Sequence, residues 1–121
     1  MIGYMTDEPV RDVAAFRPNP ARMEALVRGL AADSKKVHWA ASMYKTHAES
    51  RMEWRGITDR MMFEVLRTGN IKGEIQPGKN PGEWKLKMCK VMKGQREVGV
   101  VTVVIREQEL FVKTVEWEDR R

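Results

Sequence analysis

Apolar positions recur along the chain at two spacings, and the change from one to the other falls near Gly69. Upstream the spacing is helical. Asn19-Pro20 reads as a helix start, Asn19 as N-cap and Pro20 at the first helical position. Met23, Leu26, Val27 and Leu30 then follow at helical intervals and predict an amphipathic helix over 20–32. Thr46-His47-Ala48-Glu49 fits a capping box opening a second helix, which Gly56 ends. Thr58 starts a third, with Ile57 and Met62 placed as a hydrophobic staple and Met61, Met62, Val65 and Leu66 as its buried stripe. The segment between the first two, KKVHWAASMYK over 35–45, fits either state. Val37, Trp39, Ala41 and Met43 alternate as a strand would, while the alanines permit helix.

Downstream of Gly69 the period is that of strands. QPGKNPG over 76–82 is turn chemistry. In EWKLKMCK, Trp84, Leu86 and Met88 alternate with Lys85, Lys87 and Cys89, the pattern of a half-buried strand. VGVVTVVI over 98–105 is apolar on both sides and predicts a central strand. ELFVKTVEW over 109–117 predicts a last strand, with Leu110, Val112 and Thr114 on one face and Phe111, Lys113 and Val115 on the other. Short connections at Lys93-Gly94 and Glu107-Gln108 favour antiparallel hairpins. Helices first and strands afterwards predict an α+β fold, the helices packed on a meander. Residues 1–18, with Pro9 and Pro18 and no periodicity, read as a flexible N-terminal arm before one domain over 19–121.

Composition adds few constraints and charge adds one. A chain of 121 residues suits a single core. No apolar run has the length of a membrane span, and the acidic N-terminus is not a secretory signal, so a cytoplasmic setting is expected. With one cysteine and two histidines, neither an internal disulfide nor a structural zinc site is expected. The net charge of +5 is uneven: residues 1–18 carry −1, residues 107–121 carry −2, and residues 19–106 hold seventeen bases against nine acids. That basic body suits a polyanion such as nucleic acid, and equally a solvated lysine face.

THAESRMEWRGIT, residues 46–58, places His47, Arg51 and Arg55 four apart. On a helix they lie at roughly 0°, 40° and 80°, one stripe, with Glu49 and Glu53 almost opposite. Like charges on one face cost only a few tenths of a kcal/mol per pair. The stripe therefore permits a functional use without requiring one.

The same run, followed by a helix ending Val65-Leu66-Arg67-Thr68-Gly69, resembles the "HA..RM..RGI" signature of the bacterial domain of unknown function numbered 4258. Three later features are similar: Trp84 in Gly82-Glu83-Trp84-Lys85, the glycine-then-valine run Val98-Gly99-Val100-Val101, and the ending Lys113-Thr114-Val115-Glu116-Trp117. The resemblance spans residues 46–117, with the aromatic of the ending one residue later than usual and residues 35–45 unmatched. It implies the barnase–EndoU–colicin–RelE group of folds, with two or three N-terminal helices on a four-stranded antiparallel sheet. It also implies a metal-independent, cofactor-free RNA-cleaving toxin or mobile-element protein, or a relative of one, with RNA and an antitoxin or other protein as partners.

Such cleavage needs a base for the ribose 2′-hydroxyl, an acid for the departing oxygen, and cations on the phosphoryl oxygens. His47 suits the base, because a helix N-terminus favours the neutral imidazole. Arg51 and Arg55 suit the phosphate, each guanidinium gripping two oxygens. They equally suit packing along the sheet with their heads on its carbonyls. Thr114 matches the family's terminal threonine and suits a hydrogen bond to phosphate or to His47. Lys85 and Lys87 add charge if their strand face borders the same cleft. Tyr44, Lys87 and His38 all remain open as the acid. Two non-catalytic uses stand beside this one: nucleic-acid binding, and protein binding through Trp39, Met43 and Tyr44. The oligomeric state stays open.

Overall fold

The computed structural model describes residues 18–39, 56–92, 94 and 96–118. Helix α1 spans Pro20–Ala31, and the Asn19 side chain accepts from the backbone N–H groups of Ala21 and Arg22, as the capping signal predicts. A 3₁₀ turn over Ser34–Lys36 leads into the two-residue strand β1, Val37–His38. Helix α2 spans Asp59–Thr68, and the Thr58 hydroxyl accepts from Met61 N–H. Strands β2 (Asn70–Ile71), β3 (Gln76–Pro77), β4 (Glu83–Val91), β5 (Glu97–Ile105) and β6 (Glu109–Trp117) complete the order. The expected arm and the expected helix over 46–55 lie outside the described residues, as do 40–45.

The α+β reading holds, and the sheet differs from the one expected. It is six-stranded and mixed, in the order β1-β6-β5-β4-β2, with β3 also paired to β4. β1 runs parallel to β6, and every other pairing is antiparallel. Three of the strands are edge pieces only two residues long: β1 opens the segment whose alternation fits a strand, while β2 and β3 are too short to show any alternation. β2 and β3 lie along the same edge of β4, opposite Met88–Cys89 and Trp84–Lys85. Between them the chain bulges and sends Ile75 into the core, where it is 5% exposed.

Both helices pack on one face of the sheet. Met23, Val27 and Leu30 of α1 and Met62, Val65 and Leu66 of α2 join Leu86, Met88, Val98, Val100, Val104, Leu110, Val112 and Val115 in a single core. The two helix C-termini are tied reciprocally. Arg28 of α1 donates twice to the Gly69 carbonyl, at 3.0 and 2.7 Å, and Arg67 of α2 donates to the Ala31 carbonyl at 2.6 Å. Each guanidinium thus meets a carbonyl left without a helical partner and the negative end of the neighbouring helix dipole. The C-cap of α2 is glycine for a steric reason: a Cβ there would stand 2.5 Å from the Val65 carbonyl oxygen and 2.6 Å from that of Cys89.

The last strand corrects a second expectation. A β-bulge between Val101 and Thr102 sets Val101 opposite Thr114 and Thr102 opposite Val112, leaving Lys113 as the extra residue. Strict alternation puts Thr114 with Leu110 and Val112. Past the bulge it is Val115 that is buried with them, and Thr114 turns to the face away from the helices.

Candidate functional site on the far face of the sheet

Residues opposed in register share a face, so the pairing maps the surface turned away from α1 and α2. One row runs Lys87–Val101–Thr114. The next runs Lys85–Val103–Phe111–His38, and the third Glu83–Ile105–Glu109. In the other direction lies Asn70–Cys89–Gly99–Glu116. Three sequence candidates, Lys85, Lys87 and Thr114, therefore stand on one face, and so does His38, an open choice for the acid. Adjacent strands lie ~4.8 Å apart, so Lys87 and Thr114 are about 10 Å apart at their backbones, across Val101. His47, Arg51, Arg55 and Tyr44 lie outside the described residues.

The two lysines meet different surroundings. Lys87 Nζ donates to Glu118 Oε1 at 2.9 Å and stands 3.9 Å from Glu116 Oε2. Lys72 Nζ approaches the same Glu118 oxygen at 3.5 Å and donates to Glu97 at 2.9 Å. The Glu118 side chain is only 9% exposed, because it folds back over Gly99, on the space a Cβ would need. The hydrogen bond to Glu118 raises the Lys87 pKa above the ordinary lysine value, against the opposing pull of burial. The bond to Glu97 does the same for Lys72. Beneath these charges, burial first and then the nearby Glu118 and Glu97 push the Cys89 thiol up to about 11. Cys89 therefore stays a protonated thiol at neutral pH and is a poor nucleophile. Lys85, by contrast, is exposed and makes no ion pair among the described residues.

The hairpin end of the same face holds residues that sequence reasoning did not single out. Lys79, Arg106 and Lys113 surround depressions of about 550 and 210 Å³ that share Asn80, Glu83 and Ile105. Glu83 is engaged there: its carboxylate accepts from the backbone N–H and side-chain amide of Asn80 at 3.2 and 3.0 Å. The Asn80 side-chain bond is the main cause that holds the Glu83 pKa below the usual carboxylate value. His38 Nε2 lies 3.8 Å from Glu109 Oε1 at the sheet edge. Lys113 stands here beside Phe111, as simple alternation along the strand already places it.

Among the described residues this face can offer phosphate oxygens the ammonium groups of Lys85 and Lys113, which make no direct ion pair, together with a hydroxyl and an imidazole, all carried on strands. Among the described residues no three His, Cys, Asp or Glu side chains gather as metal ligands would, and no helix is long and apolar enough to cross a membrane. None of the curated proteins and none of the solved structures compared with the chain matches it. The family profile described as "Domain of unknown function (DUF4258)" matches residues 44–117, well over half of the chain, and the chain belongs to that family.

Proposed function

We propose that the protein is a small metal-independent RNase-like effector of the toxin or mobile-element kind, acting in the cytoplasm on a barnase–EndoU–colicin–RelE-like fold. The observation that carries this reading is the far face, where Lys85, Thr114 and His38 from three different strands share one surface. In the proposed reaction the neutral imidazole of His47 takes the proton of a ribose 2′-hydroxyl. The oxygen attacks the adjacent phosphorus, the bond from phosphorus to the 5′-oxygen breaks, and an acid protonates that leaving oxygen. The products are a 2′,3′-cyclic phosphate and a free 5′-hydroxyl. Arg51, Arg55 and Lys85 neutralise the phosphoryl charge, and Thr114 hydrogen-bonds a phosphoryl oxygen. Lys87 is a poor choice for the acid, since its raised pKa holds its proton and its charge is spent on Glu118. His38 and Tyr44 remain the better donors.

The test is incubation of purified protein with several RNAs in EDTA, followed by analysis of the ends. The reading predicts cyclic-phosphate ends and a loss of about 10²–10⁴-fold in rate for His47→Ala. RNA left intact both in EDTA and in magnesium contradicts it. A second reading, RNA binding without cleavage, rests on the same exposed Lys85 and Lys113, with the carboxylates of Glu83 and Glu109 on the neighbouring row marking where a polyanion would be repelled. It predicts affinity that falls steeply with salt and no product.

A further inference from the structure

Beyond a face for the phosphate backbone, the hairpin end has the form of a pocket with two unlike parts. Its floor is apolar: Val103 and Ile105 of β5 and the ring of Phe111 of β6. Its wall carries Lys79 and Lys113, the latter 5.6 Å from the centroid of the Phe111 ring. Among the described residues neither ammonium makes a direct ion pair, although Lys113 acts on Glu83 across the groove, and Arg106 at the mouth of the adjoining depression makes none either. Glu83 lines the same groove, held by the backbone and side-chain N–H groups of Asn80 and kept anionic, so it offsets part of the wall's positive charge; Glu109, outside that groove, lies 3.8 Å from His38. The mouth is also strained. Arg106 and Glu107 form the β5–β6 turn with φ of 52° and 59°, left-handed values that side chains other than glycine rarely adopt.

A free phosphate would use the wall and waste the floor, and a purely apolar molecule would do the reverse. We propose that this groove is a nucleotide subsite, holding one planar base on Val103, Ile105 and Phe111 and its phosphate between Lys79 and Lys113. The inference rests on the RNA-directed reading for the polymer to which that nucleotide belongs, while the recognition itself needs only a monomer. Base–aromatic contact tolerates any base, and the two lysines supply the charge that fixes the phosphate end.

The experiment is titration of the labelled full chain with AMP and UMP, followed by NMR, with adenosine, uridine and inorganic phosphate as separate arms. The subsite predicts shifts at Val103, Ile105 and Phe111 with either nucleotide, and binding at least about tenfold weaker for each nucleoside and for phosphate. Lys79→Gln/Lys113→Gln, a surface change, should weaken the nucleotides about tenfold or more, and Phe111→Leu several-fold, with circular dichroism unchanged. Inorganic phosphate binding as well as AMP reduces the groove to a bare cation cluster and overturns the proposal, as does an absence of shifts on the floor. RNA cleavage scored on the same samples separates the two claims. Cleavage with an empty groove sinks the subsite alone, whereas an occupied groove with intact RNA sinks the nuclease alone.

Discussion

Glu118 and Gly99 show how one residue's absence of a side chain positions another's charge. The Glu118 carboxylate lies against the Gly99 backbone and holds Lys87 and Lys72 above the sheet. Gly99→Ala should therefore cost about 1–3 kcal/mol by overpacking, and far less in a Glu118→Ala background. Urea unfolding of the four chains of that cycle measures the coupling, and equal costs in both backgrounds would refute it. Cys89 lies below the same cluster. Its folded pKa is raised from 9.0 to about 11, so its contribution to stability is complete below pH 9 and is lost as pH rises toward 11. The raised pKa values of Lys72 and Lys87 act in the same direction at still higher pH. Stability should decline above pH 9, and Cys89→Ala should flatten the first part of that decline, as denaturation midpoints measured from pH 8 to 11 would show.

Elements with a strong period were legible from the residues alone. α1, α2, β4, β5 and β6 stand within a residue or two of where spacing and caps place them, since each buries an apolar face long enough to set a pattern. What was not legible is pairing that depends on the backbone of another strand. β1 lies where alternation and alanines left strand and helix both open, β2 and β3 are too short for a pattern, and the bulge at Lys113 is decided by register with β5. That bulge matters for the site, because it brings Thr114 to the far face, which Phe111 and Lys113 already occupy. The β5–β6 turn makes a further test at this scale. Two non-glycine residues at positive φ suggest a turn that is held for position rather than for stability. Replacing Arg106-Glu107 with Asn-Gly should raise stability by about 1 kcal/mol, read from the thermal midpoint. An unchanged or lower midpoint would show that the turn carries no strain.

At the scale of the whole molecule, the described part of the basic central body does not present an evenly basic surface. Arg28 and Arg67 are spent on helix ends, Lys90 on Glu64 and Thr68, and Lys72 and Lys87 on the Glu118 cluster. Among the described residues, Lys79 and Arg106 remain at one end of the far face, joined there by Lys113 of the last strand, with Lys85 exposed on the next row. Net charge in the sequence suited a polyanion partner and a solvated lysine face equally and located neither, because location depends on which lysines the fold has already paired. The far face as an RNA surface is the claim on which the rest depends. It is tested most directly by titrating the labelled protein, in low salt, with a 2′-O-methyl RNA oligonucleotide that cannot be cleaved. The account predicts amide shifts at Lys85, Phe111, Lys113 and Thr114, with Met23, Val27 and Glu64 on the helices unmoved. Shifts confined to α1 and α2, or none at all, would contradict it.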